Sequence, residues 1–452
     1  MGIWQKIKDD PAWTLFLAFA FLAMVSMPLA RAALVASFVA ALARHDNRAH
    51  FRLNGPTAGW LLYLAIALVG GAIIAAHNTD DLITPARGLR KITKLAWFLA
   101  IPLASALTTS RERLVKVLTA LSLGGIMLGG VILVLHPALA WLQVNFPTAR
   151  QIAVGTATGL PAVLHAVAAS LGLDAALDKA LTSEVWAPWG GRPPSFYYAF
   201  TTLGTMRDAQ RLMVALITSV CLLLPRRGEQ FKFDLAKMTG TILIVAGLIL
   251  TCKRGPLLVG VGLSFVILAT RIRWWKSMLL LACVCLAAFS VPQVRARFAD
   301  LPAEFRLKSG GRVLMWTKIV PALHDEHPYG IGFRALTAEK MRSIDRHVER
   351  NRTHVHSVPL QVFVDFGYLG LGIWATWMLM ALHSAARLAR ESERHPESTA
   401  LTAPFAMLAA LILFGLVEYN LADAAVIPLY SLSLGFSAPF FMRLNEDTLR
   451  EK

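Results

Sequence analysis

Two histidines, His354 and His356, close the one long, strongly polar stretch of the chain, residues 292–357, where twelve lysines and arginines stand against seven aspartates and glutamates. Histidine is the side chain whose unperturbed pKa, about 6.5, suits a base working near neutrality. Arginine stays charged and grips a phosphate through two parallel donors. Together they suit a displacement in which a hydroxyl loses its proton while a phosphate-bearing group departs. The basic candidates are Arg312 and Arg334 in that stretch, Arg254 in a short turn before it, and Arg207 and Arg211 further upstream. The last two are four residues apart, so on a helix they share a face.

The elements that must position these groups read as membrane helices. Hydrophobic residues make up 56% of the chain and charged residues 16%, against roughly 25% charged in a soluble domain. Uncharged stretches at 11–30, 54–76, 117–149, 277–294 and 424–442 approach or exceed the roughly 20 residues that cross a bilayer. The pattern predicts an all-α polytopic membrane protein of about twelve spans. They fall near 12–30, 31–44, 56–77, 93–110, 114–136, 205–225, 237–253, 255–270, 276–292, 358–386, 400–418 and 423–442. The first follows Lys6 and Lys8 like a signal peptide but is too long for one, and is read as a retained helix.

Orientation follows from the loops. Those holding Lys6 and Lys8, Arg44 to Arg52, Arg111 to Lys116, Arg226 to Lys237, Arg271 to Lys276, Arg387 to Arg394 and Arg443 to Lys452 are all basic, which assigns them to the cytoplasm. Both termini are then inside, and both long connections outside. The chain divides into five helices (1–136), an apolar outer connection (137–204), four helices (205–292), a basic outer loop (293–357), three helices (358–442) and a tail (443–452). Within the first connection, 162–181 reads as an interfacial amphipathic helix and 186–198 as an aromatic anchor. The net charge of +17 sits largely in orienting loops, so no nucleic-acid partner is expected. Cys221, Cys252, Cys283 and Cys285 lie in or beside apolar segments and suggest neither disulfides nor zinc.

Each candidate also has a plainer reading. His356 could be an interfacial histidine bonded to a loop carbonyl. Arg254, beside Lys253, could be a helix-end charge snorkelling to water, although Gly255-Pro256 opens a helix whose free N–H groups favour an anion. Arg207 and Arg211 flank Asp208 and could pair with it or with a loop acid. If residues 354–356 are helical, the two imidazoles point about 200° apart, which leaves His354 a supporting role. Asp80 and Asp81 read as solvated loop. No Asp-x-Asp pattern occurs in the outer loops, so no metal and no other cofactor is expected, with arginines in the metal's place.

His356-Ser357, nine residues, then Gly367-Tyr-Leu-Gly370 resembles the motif of the bacterial O-antigen ligases. In that family a histidine is followed by Asn, Ser or Gln, nine residues, and Gly-x-x-Gly, Thr or Tyr. Three further stretches resemble it: Arg254-Gly-Pro-Leu-Leu258, Gly311-Arg312-Val-Leu-Met-Trp316 and Pro328-Tyr-Gly330-Ile-Gly332. The likeness covers about 237–442. O-antigen polymerases and protein O-oligosaccharyltransferases share this region, but the first outer connection is mostly apolar here, and the chain ends ten residues after its last predicted span. A transporter or flippase would fit twelve helices equally well, yet charges stand at span ends rather than centres.

The resemblance implies a GT-C-like glycosyltransferase of the bacterial inner membrane, its site facing the periplasm. Its donor would be O-antigen on undecaprenyl pyrophosphate and its acceptor the lipid A core oligosaccharide. His356 would be the general base of an inverting displacement, with Arg254 and Arg312 on the pyrophosphate. Arg211, Arg207, Arg334 and His354 are further candidates for substrate contact.

Overall fold

The structure, a computed structural model, describes residues 10–43, 51, 53–145, 205–224, 234–299, 301–304, 311–348, 352–394 and 399–436. Among them there are helices and turns and no strand. The longer elements are α1 (Pro11–Val25), α2 (Met27–Ala43), α3 (Gly55–His77), α4 (Pro85–Lys91), α5 (Ala100–Leu107), α6 (Arg111–Asn145), α7 (Thr205–Leu223) and α8 (Leu235–Leu250). They continue with α9 (Arg254–Ala269), α10 (Trp274–Ser290), α11 (Pro292–Ala299), α12 (Val320–Glu326), α13 (Ala338–Ile344), α14 (Val358–Arg394), α15 (Ala403–Gly415) and α16 (Ile427–Phe436). A 3-10 segment, Ile92–Leu99, leads into α5.

Each predicted span overlaps a helical stretch among the described residues. Among the described residues three helices are long and apolar enough to cross a membrane, Gly55–His77, Arg111–Val134 and Val358–Arg390, and seven shorter apolar helices accompany them. Large apolar side chains such as Leu286, Val69 and Val35 stand exposed around the outside, where water would not tolerate them and lipid would. The chain is a helical membrane protein. The predicted amphipathic and aromatic segments at 162–181 and 186–198 lie outside the described residues, as do Lys6, Lys8, Arg44, Arg226 and the tail from 443.

Helix starts follow local chemistry. Asp10 and Asn54 each cap a helix with the side chain, accepting from Trp13 and Thr57, and a proline follows in the first turn. Such caps satisfy N–H groups that have no partner inside the helix. Bundle packing is close where residues are small: Gly247 of α8 meets Gly129 of α6 so tightly that a Cβ would lie 2.8 Å from the Gly129 Cα. Helix α7 packs among α6, α8, α9 and α15.

One predicted boundary moves. The turn expected near Arg31 falls instead at Ser26, whose backbone is extended, so Arg31 lies inside α2. Pro28 has no N–H to donate to the carbonyl of Met24, four residues back. That carbonyl accepts from Arg211 Nη1 at 3.2 Å.

Helix α14 carries a break. Phe366 and Gly367 leave helical geometry, Gly367 with φ +61 and ψ −157, a region open essentially to glycine alone. The segment 328–332 passes across this break. Ile331 N donates to Val364 O at 3.0 Å and Gly332 N to Asp365 O at 2.9 Å. Gly330, also at positive φ, lies so close that a Cβ would meet Asp365 O at 2.4 Å. The Pro-Tyr-Gly-Ile-Gly run and the first glycine of Gly-x-x-Gly are thus two halves of one interlock.

Gly367→Ala should therefore lower stability by about 1–3 kcal/mol from backbone strain, and further through the contact its Cβ makes with Pro328 O at 2.6 Å. A melting temperature in detergent several degrees below wild type is expected. An unchanged melting temperature would show that the break is not imposed by this glycine.

Candidate active site

The turn joining α15 to α16, residues 416–426, gathers side chains from distant parts of the chain. The Glu418 carboxylate accepts from His356 Nδ1 at 2.9 Å and from Arg312 Nη2 at 3.3 Å, and His354 Nε2 lies 3.6 Å away. Arg312 Nε also donates to Val417 O at 2.8 Å. Further along, Arg334 Nη1 donates to Ala422 O at 3.1 Å, Arg207 Nε reaches Asp423 at 2.8 Å, and Arg211 Nε reaches Ala425 O at 3.4 Å. Six of the seven residues named from sequence touch this one segment. The turn is itself held by Tyr430, whose hydroxyl lies 2.8 Å from Leu411 O and 3.0 Å from Asn420 Oδ1.

The histidine segment is fixed from both sides of Val355. Trp316 Nε1 donates to its carbonyl at 2.8 Å, and its N–H donates to Gln361 Oε1 at 3.0 Å. Gln361 in turn donates to Asp365 at 2.8 Å. Trp316 ends one motif and Gln361 lies within another, so these bonds tie the two together. His356 then takes φ +52, the left-handed region, uncommon for any residue but glycine. The stretch is not helical, and the imidazoles do not point apart: their rings are 4.4 Å from each other, both beside Glu418.

Protonation follows from the partners. Arg352 Nη1 lies 2.8 Å from His356 Nε2. A guanidinium only donates, so Nε2 must carry the lone pair and Nδ1 the proton that it gives to Glu418. Burial, to 7% exposure, pushes His356 below its ordinary 6.5; Glu418 pulls it back, and His354 and Arg352 oppose Glu418, leaving it lowered. Burial alone would raise Glu418, but hydrogen bonds from His354 and His356 and the charges of His356 and Arg312 hold it well below the usual carboxylate range. At neutral pH the pair is a carboxylate and a neutral imidazole with its free nitrogen turned to a cation. A carboxylate behind a histidine fixes its tautomer and stabilises the imidazolium when a proton arrives.

The remaining candidates fall differently. Arg254 opens α9 and donates from Nη1 to Arg297 O at 2.5 Å. Gly255 beside it packs under Phe414, one turn before Glu418, and Lys253 lies within electrostatic reach of Glu418. Arg211, a candidate for substrate contact, lies in the interior of the bundle. It is 0% exposed, with Nη1 on the Met24 carbonyl and Nε on the Ala425 carbonyl, and it joins α1, α7 and the turn. Arg207 is half-exposed and paired with Asp423 rather than with Asp208. Asp80, expected as solvated loop, accepts from Lys340 Nζ at 2.7 Å, with His327 Nε2 3.5 Å away. It staples the 78–84 connection to the polar loop.

Sequence reasoning missed Glu418 and Arg352. Glu418 is the first carboxylate after an uncharged apolar helix, and Arg352 stands four residues before His356; neither signal is specific without the fold. His354, His356 and Glu418 present ligand atoms within 4.8 Å of one another and could hold a metal ion. Arg312 on Glu418 and Arg352 on His356 set two guanidinium charges against such an ion. Asp80, Glu326 and His327 form a second group of this kind, occupied by the Lys340 ammonium, which contacts both carboxylates.

Residues 239–375 match a family model described as O-antigen ligase. The match takes in Arg254, Arg312, Arg334, Arg352, His354 and His356, and leaves out Arg207, Arg211 and Glu418. No curated protein matches the chain.

The geometry fixes the sign of a titration experiment. His356 should titrate below 6.5 in the full-length protein, read by NMR with ¹⁵N-labelled histidine. Glu418→Gln removes the group that raises it, so its pKa should fall further, whereas Arg352→Gln should raise it. A His356 pKa above 6.5, or opposite responses, would contradict the arrangement.

Proposed function

The match over residues 239–375 supports membership of the O-antigen ligase superfamily, and on that premise we propose that the chain transfers O-antigen from undecaprenyl pyrophosphate to the lipid A core oligosaccharide. The observation that carries the proposal is the buried Glu418–His356 pair, with its unprotonated Nε2 against Arg352 and Arg312 on the carboxylate. The acceptor hydroxyl gives its proton to His356 Nε2 as its oxygen attacks the anomeric carbon. The bond from that carbon to the pyrophosphate oxygen breaks, with inversion. Glu418 takes up the imidazolium charge through Nδ1–H, and general base catalysis of this kind contributes about 10²–10⁴-fold.

Arg352 now caps the lone pair that must accept the proton. A donor pyrophosphate offers its guanidinium a charged acceptor in exchange, which frees Nε2 as the donor arrives. Arg312, on Glu418, and Arg254, whose neighbour Gly255 packs on Phe414, are the further candidates for the leaving group. Arginines there do what a divalent cation does in many sugar transferases, so the reaction is proposed to need no metal and no other cofactor. On the loop charges, the site faces the periplasm from the inner membrane, with both termini cytoplasmic.

A polymerase reaction, with lipid-linked sugar as donor and acceptor, uses the same centre and differs only in what supplies the hydroxyl. Incubation of the purified protein with lipid-linked O-antigen and rough lipopolysaccharide separates the two. Ligation gives a laddered lipopolysaccharide, and polymerisation gives longer lipid-linked chains alone.

Three outcomes are expected. His356→Ala should leave the protein inserted and abundant while transfer is lost; normal ligation in that variant would sink the assignment. Arg312→Lys keeps the charge but loses the forked donor geometry, and should lower kcat by about tenfold or more. Activity should persist in excess chelator, and a requirement for added magnesium or manganese would overturn the metal-free mechanism.

A further inference from the structure

A second group of cations meets the His356 cluster at Tyr419. Arg334 lies over the Tyr419 ring at 5.9 Å, and His354 packs against the same ring at 5.8 Å. Arg334 Nη1 holds Ala422 O, next in sequence to the Asp423 that Arg207 grips. Lys91 Nζ donates to the Arg334 carbonyl at 3.0 Å, which uses one of its three donors. Arg31 lies over the Trp97 ring at 4.7 Å, three residues after Lys94. Lys94 itself is within electrostatic reach of Arg31, Arg207 and Arg334.

The group therefore draws five cations from four separate segments, and two acids answer them. Asp423 is engaged by Arg207, and Asp365 is buried beneath with Gln361 on its carboxylate. Lys94 and Arg31 make no hydrogen bond or ion pair among the described residues. Like charges held together without counter-charge are relieved by an anion. Lys91 registers the excess: burial, then the charges of Arg334, Arg87 and Lys94, push it down to about 8.

Arg31 lies in the second turn of α2, Lys91 and Lys94 where α4 meets the 3-10 segment, Arg207 in the first turn of α7 and Arg334 in the polar loop, on the side that the loop charges assign to the periplasm. A two-substrate transferase meets two lipid-borne molecules there, and the centre around His356 already accounts for one pyrophosphate. We propose that Arg31, Lys91, Lys94, Arg207 and Arg334 form a separate anion site that binds a phosphate group on the acceptor glycolipid and holds that substrate's headgroup beside His356. The identity of the carrier rests on the transferase reading; the phosphate chemistry does not. The same chemistry could be supplied by an ordinary anionic phospholipid, so the two sources must be told apart.

The test uses the full-length protein in nanodiscs, as wild type and as Lys91→Gln/Lys94→Gln. Lys94→Gln alone removes no hydrogen bond and serves where the double variant does not fold. Binding of rough lipopolysaccharide, of the same material after phosphatase treatment, and of phosphatidylglycerol is compared by native mass spectrometry. Wild type should prefer the phosphorylated glycolipid by about tenfold, and the variants should lose that preference. In transfer assays the acceptor KM should rise about tenfold with the donor KM unchanged. An undiminished preference in the variants would overturn the site, and phosphatidylglycerol competing as well as the glycolipid would overturn the assignment to the acceptor. A phosphate preference that the variants abolish, in a protein that makes no glycosidic bond, would uphold the site and sink the transferase reading instead.

Discussion

The carboxylate of Glu418 is the interaction on which the rest of the site depends. It is largely buried, and a buried carboxylate persists as an anion only when its charge is answered nearby. His354, His356 and Arg312 supply that answer from three directions. The relation runs both ways. Without Glu418, Arg312 would lose its ion pair and His356 would lose the partner that fixes which nitrogen carries its proton. One charge therefore sets position, tautomer and basicity together.

The turn that carries Glu418 does more than present a side chain. Its carbonyls at Val417, Ala422 and Ala425 each receive an arginine, so irregular backbone between two apolar helices is satisfied by long cationic side chains rather than by water. A buried carbonyl left unpaired costs about 1–3 kcal/mol. Arg211 makes the same economy at a second place, on the Met24 carbonyl that Pro28 cannot serve. The arginines thus differ here by exposure and partner, and sequence position does not separate them.

The histidine motif's spacing has a mechanical reading. Nine residues separate Ser357 from Gly367, and as helix they span about 14 Å. His356 stands at one end of that short rod and the Gly367 break at the other. The polar loop grips both ends, through Trp316 at Val355 and through 328–332 across the break. A change in length would turn the histidine away from Glu418, because each added residue rotates a helix by about 100°.

Much of this was legible in the residues alone. Uncharged runs of helical length marked where apolar helices lie, because a bilayer's thickness dictates the run. The pairing of His356 with a glycine pattern pointed to a base and to a family, and Arg312 and Arg254 were recognisable as cations on a face where orientation charge is not expected. What sequence could not tell was which of the arginines meet. Arg211 and Arg207 look alike four residues apart, yet one is sealed under the turn and the other is half-exposed, since Arg207 lies in the first turn of α7 and Arg211 one turn deeper among its neighbours. Nor could it place Glu418, 62 residues beyond His356, or bring His354 round to the same carboxylate. Those depend on a left-handed residue at His356 and on the packing of α15 against α14 and α9. Local chemistry determined which side chains could act, and long-range packing of charge and backbone decided which of them do so together.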